Sequence, residues 1–228
     1  KMLFLLRNPS GSWKAIADRI SNSKKVTRLE SELIRIDPSV SLSALKKRIH
    51  QVEHHRSHLA SAFFASPFKE AAIFSIDGSG DFTTTMMGMG RDREMEVLHS
   101  IDFPHSAGIF YTAFTQWLGF PHYGDEYKVM GLAPYGEAKY TGKLREVLLF
   151  RSNGGFRLNL EYFRSPREGY IAYADHLPIV ARLYSDTLTT AFGPARKKEE
   201  PLTQYHKDMA ASVQRITEEL IFRCLNDL

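Results

Sequence analysis

The chain has 228 residues, of which 43% are hydrophobic and 25% charged, the composition of an ordinary globular protein. The positive charges behind its formal net charge of +4 are scattered, and the densest run, Arg196–Lys198, is followed at once by Glu199 and Glu200, so no nucleic-acid partner is expected. One cysteine, Cys224, excludes an intrachain disulfide, and no apolar run approaches the length of a membrane span, so we expect a cytoplasmic protein without a membrane partner.

The first fifty residues carry weak helical signals and no chemical motif. We expect this part, residues 1–50, to be a connecting and packing segment. Its predicted elements are helices at Trp13–Ile20, Lys25–Ile36 and Ala44–Lys47, and a short strand at Arg48–Val52.

From His55 onwards, small and apolar side chains predict a buried helix, which Pro67 ends. Three apolar segments with short polar joins follow, and they predict an antiparallel three-strand meander. The predicted strands are Ala71–Ile76, Thr83–Met89 and Met95–Ile101.

The second half of the chain predicts four more helices. The last of them is the clearest, because apolar residues recur every three or four positions along one face. The predicted helices are Phe110–Leu118, Lys143–Leu149, Ile179–Ala191 and Tyr205–Asn226. Residues 121–136 show no single period, residues 154–160 predict a turn and a short strand, and the rest of 161–204 is predicted to be irregular.

The first chemical motif is a pair of histidines, His54 and His58, spaced four residues apart. On a helix their side chains lie on one face, and two imidazoles so placed can bind one divalent metal ion, whereas His55 points elsewhere. Asp77, at the end of the first strand, is the best-placed carboxylate to complete a site with two histidines and one carboxylate, which suits iron(II). Two purely structural histidines are the alternative interpretation.

The second motif is the turn Asp77-Gly78-Ser79-Gly80-Asp81. Glycines let the backbone approach a ligand closely, and successive amides in such a turn can bind phosphate oxygens. A plain hairpin turn explains the same residues without any ligand.

The third motif is Gly124-Asp125-Glu126-Tyr127-Lys128. The acidic pair and the lysine can orient a phosphate or a hydroxyl group. An exposed polar loop is the alternative, although the surrounding proline, tyrosine and glycine residues favour a shaped loop.

Taken together, four segments in this order resemble the O-carbamoyltransferases of the nodulation and antibiotic-tailoring type. They are VEHHRSHLASAFFASPF, AAIFSIDGSGDF, FPHSAGIFYTAFTQWLGF and GDEYKVMGLAPYG, and they span about Val52 to Gly136. The resemblance implies an α/β fold, an incomplete domain of the actin/Hsp70/sugar-kinase (RNase H-like) type. It also implies an enzyme that uses carbamoyl phosphate and ATP and transfers the carbamoyl group of carbamoyl-adenylate to a hydroxyl of a sugar or other small acceptor.

The resemblance also implies roles for the motif residues. His54 and His58 would bind a divalent metal, iron or else zinc or manganese, together with a later aspartate. The turn residues Gly78, Ser79, Gly80 and Asp81 would lie near metal and phosphate, and Lys128 would line the nucleotide crevice with Asp125 and Glu126. As a hypothesis, Asp77 or Asp125 takes the proton of the acceptor hydroxyl while Lys128 and the turn amides stabilise the phosphate charge.

The resemblance further implies a longer enzyme. Members of the family are more than twice as long, and they carry a C-terminal YrdC-like domain that forms carbamoyl-adenylate. We therefore expect residues 51–228 to be a partial second lobe, with the YrdC-like domain absent and the isolated chain inactive.

Three other functions are compatible with parts of the pattern. An ATP-dependent sugar kinase or ATPase of the same superfold would use the acidic glycine turn but has no need of the histidine pair. A metal-dependent hydrolase would require more ligands, and the HExxH signature is absent. A non-catalytic interaction domain would use exposed aromatic residues, predicted to be Tyr111, Trp117, Tyr123, Tyr135, Tyr162, Tyr170 and Tyr173.

Overall fold

The structure is a computed structural model that describes residues 29–152, 154–164, 171–174 and 177–228. Its α-helices are α1 Leu29–Ile36, α2 Leu42–Arg48, α3 His54–Phe63, α4 Ala107–Trp117, α5 Glu126–Leu132, α6 Thr141–Leu144, α7 Asp186–Phe192 and α8 Gln204–Asn226. Its strands are β1 Glu70–Gly80, β2 Thr83–Arg91, β3 Glu94–Asp102, β4 Leu148–Phe150, β5 Phe156–Leu158, β6 Ile171–Ala174 and β7 Leu177–Val180. Single turns of 3₁₀-helix lie at Ala133–Tyr135 and Leu160–Tyr162.

The main sheet has the order β1-β2-β3, and both neighbouring pairs are antiparallel. This confirms the predicted α/β class and the three-strand meander. Pairing between β1 and β2 is regular as far as Ile76 opposite Thr85, and the register then shifts before Gly80 pairs with Thr83. The irregular stretch holds Asp77, Gly78 and Ser79, so most of the glycine-rich motif is a bulged end of β1. The two-residue turn of the hairpin follows it at Asp81 and Phe82.

The sheet separates a small core from a large one. Successive side chains of a strand point to opposite faces. Met86 on β2 accordingly packs with Leu59, Phe63 and Ile73 under α3, whereas the adjacent Met87 belongs to the large core.

The large core forms around α4 and α8. Ser106 is the N-cap of helix α4, and its hydroxyl accepts a hydrogen bond from the amide of Ile109. The helix is buried over nearly its whole length. Helix α8 buries one apolar stripe against it, as the periodicity predicts, made of Met209, Val213, Ile216, Leu220 and Cys224. None of the helices among the described residues is long and apolar enough to cross a lipid bilayer.

Several predicted elements differ from the observed ones. The strand predicted at Arg48–Val52 is wrong, because α2 runs to Arg48 and residues 49–53 have no regular structure. The helix predicted at Lys143–Leu149 is observed only at its first two residues, because the observed helix ends at Leu144. Leu148 instead pairs with Leu158 in a two-stranded sheet. The predicted Trp13–Ile20 helix and residues 25–28 lie outside the described ranges.

Two further segments gain structure that the sequence pattern did not predict. Ile179 belongs to β7, and the helix expected from that position begins only at Asp186. The segment 121–136 contains helix α5, whose outward side chains Tyr127 and Met130 are exposed and so leave no apolar period to detect.

The aromatic residues assigned to an interaction surface differ in exposure, and Tyr162 is half-buried. Tyr123 and Tyr135 are exposed, as predicted. Tyr111 and Trp117 are buried in α4, which corrects the expectation that they are exposed. Tyr170 and the side chain of Tyr173 lie outside the described part of the structure.

Candidate functional site

The site forms where the first turn of α3 lies against the end of β1. His54 is the first residue of α3, and Glu53 caps the helix by accepting a hydrogen bond from the amide of Arg56 at 2.8 Å. The Nε2 atom of His54 lies 2.9 Å from Oδ2 of Asp77 and 3.0 Å from Nε2 of His58. The structure therefore brings together the histidine pair and the carboxylate that the spacing predicted.

The three side chains form a suitable set of metal ligands. Their donor atoms all lie within 4.8 Å of one another. Without a hydrogen, each of these atoms offers a lone pair. If Nε2 of His54 carries a hydrogen, that hydrogen can be donated to Asp77 or to His58 but not to both. A positive ion among the three atoms satisfies all of the lone pairs at once, and two imidazoles with one carboxylate are common ligands of divalent transition metals.

Asp77 is held in its charged form. Burial raises the pKa of this carboxyl, but hydrogen bonds from the Gly78 amide and His54, with the nearby histidine charge, outweigh burial and leave the pKa below its ordinary value. The amide of Gly78 donates to Oδ1 at 2.5 Å, so Oδ2 is the oxygen that faces the histidines. An anionic carboxylate suits a metal ligand better than a proton acceptor.

His55 has a different environment from its neighbours. Its side chain is fully buried, with Nε2 2.9 Å from the carbonyl oxygen of Thr83 and Nδ1 2.8 Å from the hydroxyl of Ser75. Burial is the largest cause of a lowered pKa for this ring. His55 is thus outside the ligand set, which confirms the expectation that it points elsewhere.

The glycine-rich end of β1 is shaped by its neighbours in the fold. A β-carbon on Gly80 would lie 1.9 Å from Cδ2 of His54, and one on Gly108 would lie 2.6 Å from the Gly78 backbone. The hydroxyl of Ser106 donates to the carbonyl oxygens of Asp77 and Gly78 at 3.1 and 2.7 Å. The turn is therefore clamped between α3 and α4.

Asp81 takes part in the same arrangement. Its φ of 51° places it in the left-handed region, and its carboxylate accepts a hydrogen bond from the backbone amide of His54 at 3.1 Å. Because helix N-termini attract negative charge, this contact stabilises the start of α3. The phosphate-binding role expected of Gly78, Ser79, Gly80 and Asp81 stays a prediction, and in this structure the Gly78 amide is bonded to Asp77.

Asp125 and Lys128 lie at the start of α5 and pair with each other. Lys128 Nζ is 2.6 Å from Oδ1 of Asp125, whose Oδ2 accepts from the amide of His122 at 3.0 Å. Burial raises the pKa of Asp125, but these two partners outweigh it and the pKa lies below its ordinary value. The catalytic role of Asp125 and the ligand-binding role of Lys128 stay predictions.

Helix α4 connects this acidic segment to the turn. Gly108 touches Gly78 at one end of α4, and Thr112, one turn further on, donates to Oε1 of Glu126 at 2.5 Å. One helical turn advances about 5.4 Å along the axis. The two predicted motifs therefore contact one buried helix at positions about one turn apart.

Sequence inspection did not identify three residues that hold this site together. They are His55, Ser106 and Asp81 in its capping role. Only Ser106 left a local signal, as a serine directly before an apolar helix, a common N-cap position. The partners of His55 and Asp81 are 20 or more residues away in the chain, so no local pattern reveals them.

A family model and several known proteins are similar to this chain. A family model described as "Carbamoyltransferase N-terminus" matches residues 14–228. The uncharacterized protein sll1178 of Synechocystis sp. is 44% identical over 176 residues, which cover 76% of this chain and 27% of that protein.

Two nodulation proteins are also similar. NolNO of Sinorhizobium fredii is 35% identical over 191 residues, covering 83% of this chain and 24% of that protein. NolO of Bradyrhizobium diazoefficiens is 34% identical over 175 residues, covering 76% of this chain and 28% of that protein. The chain thus spans about a quarter of the length of these relatives.

Proposed function

The chain belongs to the carbamoyltransferase N-terminus family, and we propose that it forms part of an enzyme that transfers a carbamoyl group to a hydroxyl of a sugar or other small molecule. The resemblance drawn from the four sequence segments is confirmed at the level of the family. The observation that supports the proposal most strongly is the convergence of His54, His58 and Asp77 within a chain of this family.

We propose that these three residues bind one divalent metal ion, with iron, zinc and manganese as the candidates. The bound ion would supply Lewis acidity toward a carbonyl or phosphate oxygen of the carbamoyl donor. Asp77 contributes a negative charge that its lowered pKa maintains at neutral pH. Both His54 and Asp77 are part-exposed, with side-chain exposures of 39% and 43%, so a small substrate can reach them.

The donor in this proposal is carbamoyl-adenylate, made from carbamoyl phosphate and ATP. Lys128 is the cation we assign to the phosphate, and the backbone of Gly78, Ser79 and Gly80 is a second proposed contact of the same group. When Lys128 turns from Asp125 to a phosphate oxygen, Asp125 loses the larger of the two partners that lower its pKa, keeps the hydrogen bond from the His122 amide, and becomes a better proton acceptor. This exchange favours Asp125 over Asp77 as the base that takes the proton of the acceptor hydroxyl.

The remaining expectations concern the whole enzyme and are proposals as well. We propose an incomplete domain of the actin/Hsp70/sugar-kinase type, with residues 1–50 packing on one lobe and 51–228 forming part of the second. Because the relatives are about four times as long, we propose that activity requires further segments, among them a YrdC-like domain and a later aspartate ligand. Cytoplasmic location belongs to the same proposal.

The proposal is tested by carbamoyl transfer in the complete polypeptide that contains this chain. Radiolabelled carbamoyl phosphate and ATP are supplied with a panel of sugars, and labelled product is measured. We expect transfer that requires ATP and that His54→Ala and His58→Ala abolish along with bound metal. Unchanged rates and metal content in both variants would exclude a role for the histidine pair.

A further inference from the structure

The side chain of His55 connects the helix that carries the two histidines to the hairpin that carries Asp77. Its ring is fully buried and bonds to Ser75 on β1 and to Thr83 at the start of β2. These are side-chain contacts between α3 and two different strands, made by the residue next to His54.

The hydrogen-bond partners fix the orientation of this ring. The carbonyl oxygen of Thr83 only accepts, so Nε2 of His55 must carry the hydrogen. The other nitrogen, Nδ1, then has a lone pair and accepts a hydrogen bond from the hydroxyl of Ser75. A ring with one donor and one acceptor, each matched to a single partner, has only one arrangement that satisfies both bonds.

The geometry places these bonds beside the proposed ligands. Ser75 and Asp77 are two residues apart on β1, and residues so spaced on a strand face the same side. His54 and His55 are adjacent on α3, and His54 bonds to Asp77 while His55 bonds to Ser75. Both bonds therefore join neighbouring residues of α3 to the same stretch of β1.

From this we infer that His55 is a positioning residue, which sets the separation between the histidines of α3 and the carboxylate of Asp77. The inference rests on the proposed function, since it concerns the same metal site. His55 touches neither metal nor substrate in this account. His55 would influence metal binding because two of the proposed ligands come from a helix and the third from a strand. The positions of metal ligands must be held to within about 0.5 Å of the geometry that binds the ion.

Three variants distinguish a positioning role of His55 from a contribution to the stability of the fold alone. His55→Phe keeps a ring of similar size but removes both hydrogen bonds, and His55→Gln restores one donor and one acceptor. The matched control is Leu59→Ala, because Leu59 lies one turn further along the same buried face of α3 and packs with Phe63, Ile73 and Met86. This control creates a cavity and destabilises the packing of α3 while both bonds of His55 remain.

Two readouts are measured on the full chain. Cobalt(II) titration should show affinity about tenfold weaker in His55→Phe, as expected when a supporting contact of a metal site is lost. His55→Gln should recover part of the loss, and Leu59→Ala should lose less affinity than His55→Phe. In metal-free protein, the ring ¹⁵N signals of His54, which bonds to Asp77, should shift in His55→Phe and shift less in Leu59→Ala.

The inference would be overturned if His55→Phe matched wild type in both readouts, or if Leu59→Ala changed them equally. Failure of the metal site itself gives a different result. In that case wild-type protein does not bind cobalt, and the metal-free ring signals alone decide the role of His55.

Discussion

A β-carbon on Gly80 would lie 1.9 Å from Cδ2 of His54, so the imidazole of a proposed ligand fills the space a side chain would need. The substitution Gly80→Ala must therefore displace the ring of His54 from Asp77. We expect metal affinity to fall at least about tenfold, as in other sites whose ligand orientation is disturbed. Cobalt titration of the variant measures this loss.

Gly131→Ala is the matched control for this substitution. Gly131 lies in α5, and nothing lies within 4 Å of the position its β-carbon would take. Alanine in place of a helical glycine should stabilise the fold by up to about 1 kcal/mol and leave metal binding unchanged. Wild-type metal affinity in Gly80→Ala would contradict the close packing described between β1 and α3.

Ser106→Ala should weaken both the fold and the site. The buried hydroxyl of Ser106 caps α4 and also donates to the carbonyls of Asp77 and Gly78. We expect the free energy of unfolding in urea to fall by about 1–2 kcal/mol, the usual effect of losing a helix cap. Ser106→Thr keeps the hydroxyl and should recover much of the loss, whereas equal losses in both variants would exclude the hydroxyl as the cause.

The stability of the chain should decrease in mild acid because of His105. Burial, with the charges of Arg157 and Arg151, lowers the pKa of His105 to about 4, and its Nδ1 accepts a hydrogen bond from the Leu158 amide. The unfolded histidine takes up a proton near pH 6.5, so between these two values the unfolded state binds more protons. The contribution of His105 to the free energy of unfolding should therefore fall as the pH drops from about 6.5 to 4, by about 3 kcal/mol, and this contribution should not change further below that range.

The contribution of His105 is isolated by substitution, because burial also lowers the pKa of His55 and His206. Urea unfolding is measured at several pH values for wild type, His105→Gln and the control His99→Gln, which changes an exposed histidine on β3. We expect a shallower slope only in His105→Gln. An identical slope in all three proteins would show that the His105 ring takes up its proton in the folded state.

Lys128→Met tests the proposed phosphate contact. The lysine pairs with Asp125, and its Nζ atom lies 5.7 Å from the ring centres of Phe120 and Tyr127. We expect ATP affinity of the complete polypeptide to fall about tenfold, as for the loss of one charged hydrogen bond, while metal affinity stays constant. Parallel loss of metal affinity would instead place Lys128 in a structural role.

The sequence predicts the proximity of the three proposed ligands better than it predicts the elements around them. The spacing of His54 and His58 and the position of Asp77 after an apolar strand follow from local periodicity, and the structure brings all three together. The pairing of Leu148 with Leu158 instead depends on a strand that lies later in the chain. Local pattern therefore extended the helix at Lys143–Leu149 past its observed end.

The roles of charged side chains were harder to predict for the same reason. Asp81 looks like a phosphate contact in its motif, yet its carboxylate bonds to the amide of His54, 27 residues earlier in the chain. Asp125 is one of two candidate bases in the hypothesis drawn from the motifs, and its burial beside Lys128 becomes visible only in the folded chain. Both cases depend on tertiary contacts that a single sequence does not encode locally.

Metal content and affinity test the central claim most directly. Iron, zinc and manganese bound to the purified chain are measured by plasma mass spectrometry and titration, beside His54→Ala and the control His99→Gln. We predict close to one equivalent of metal in wild type and in the control, and loss of that metal in His54→Ala. Equal metal content in wild type and His54→Ala, or none in either, would contradict the proposal that His54, His58 and Asp77 form a metal site in this chain.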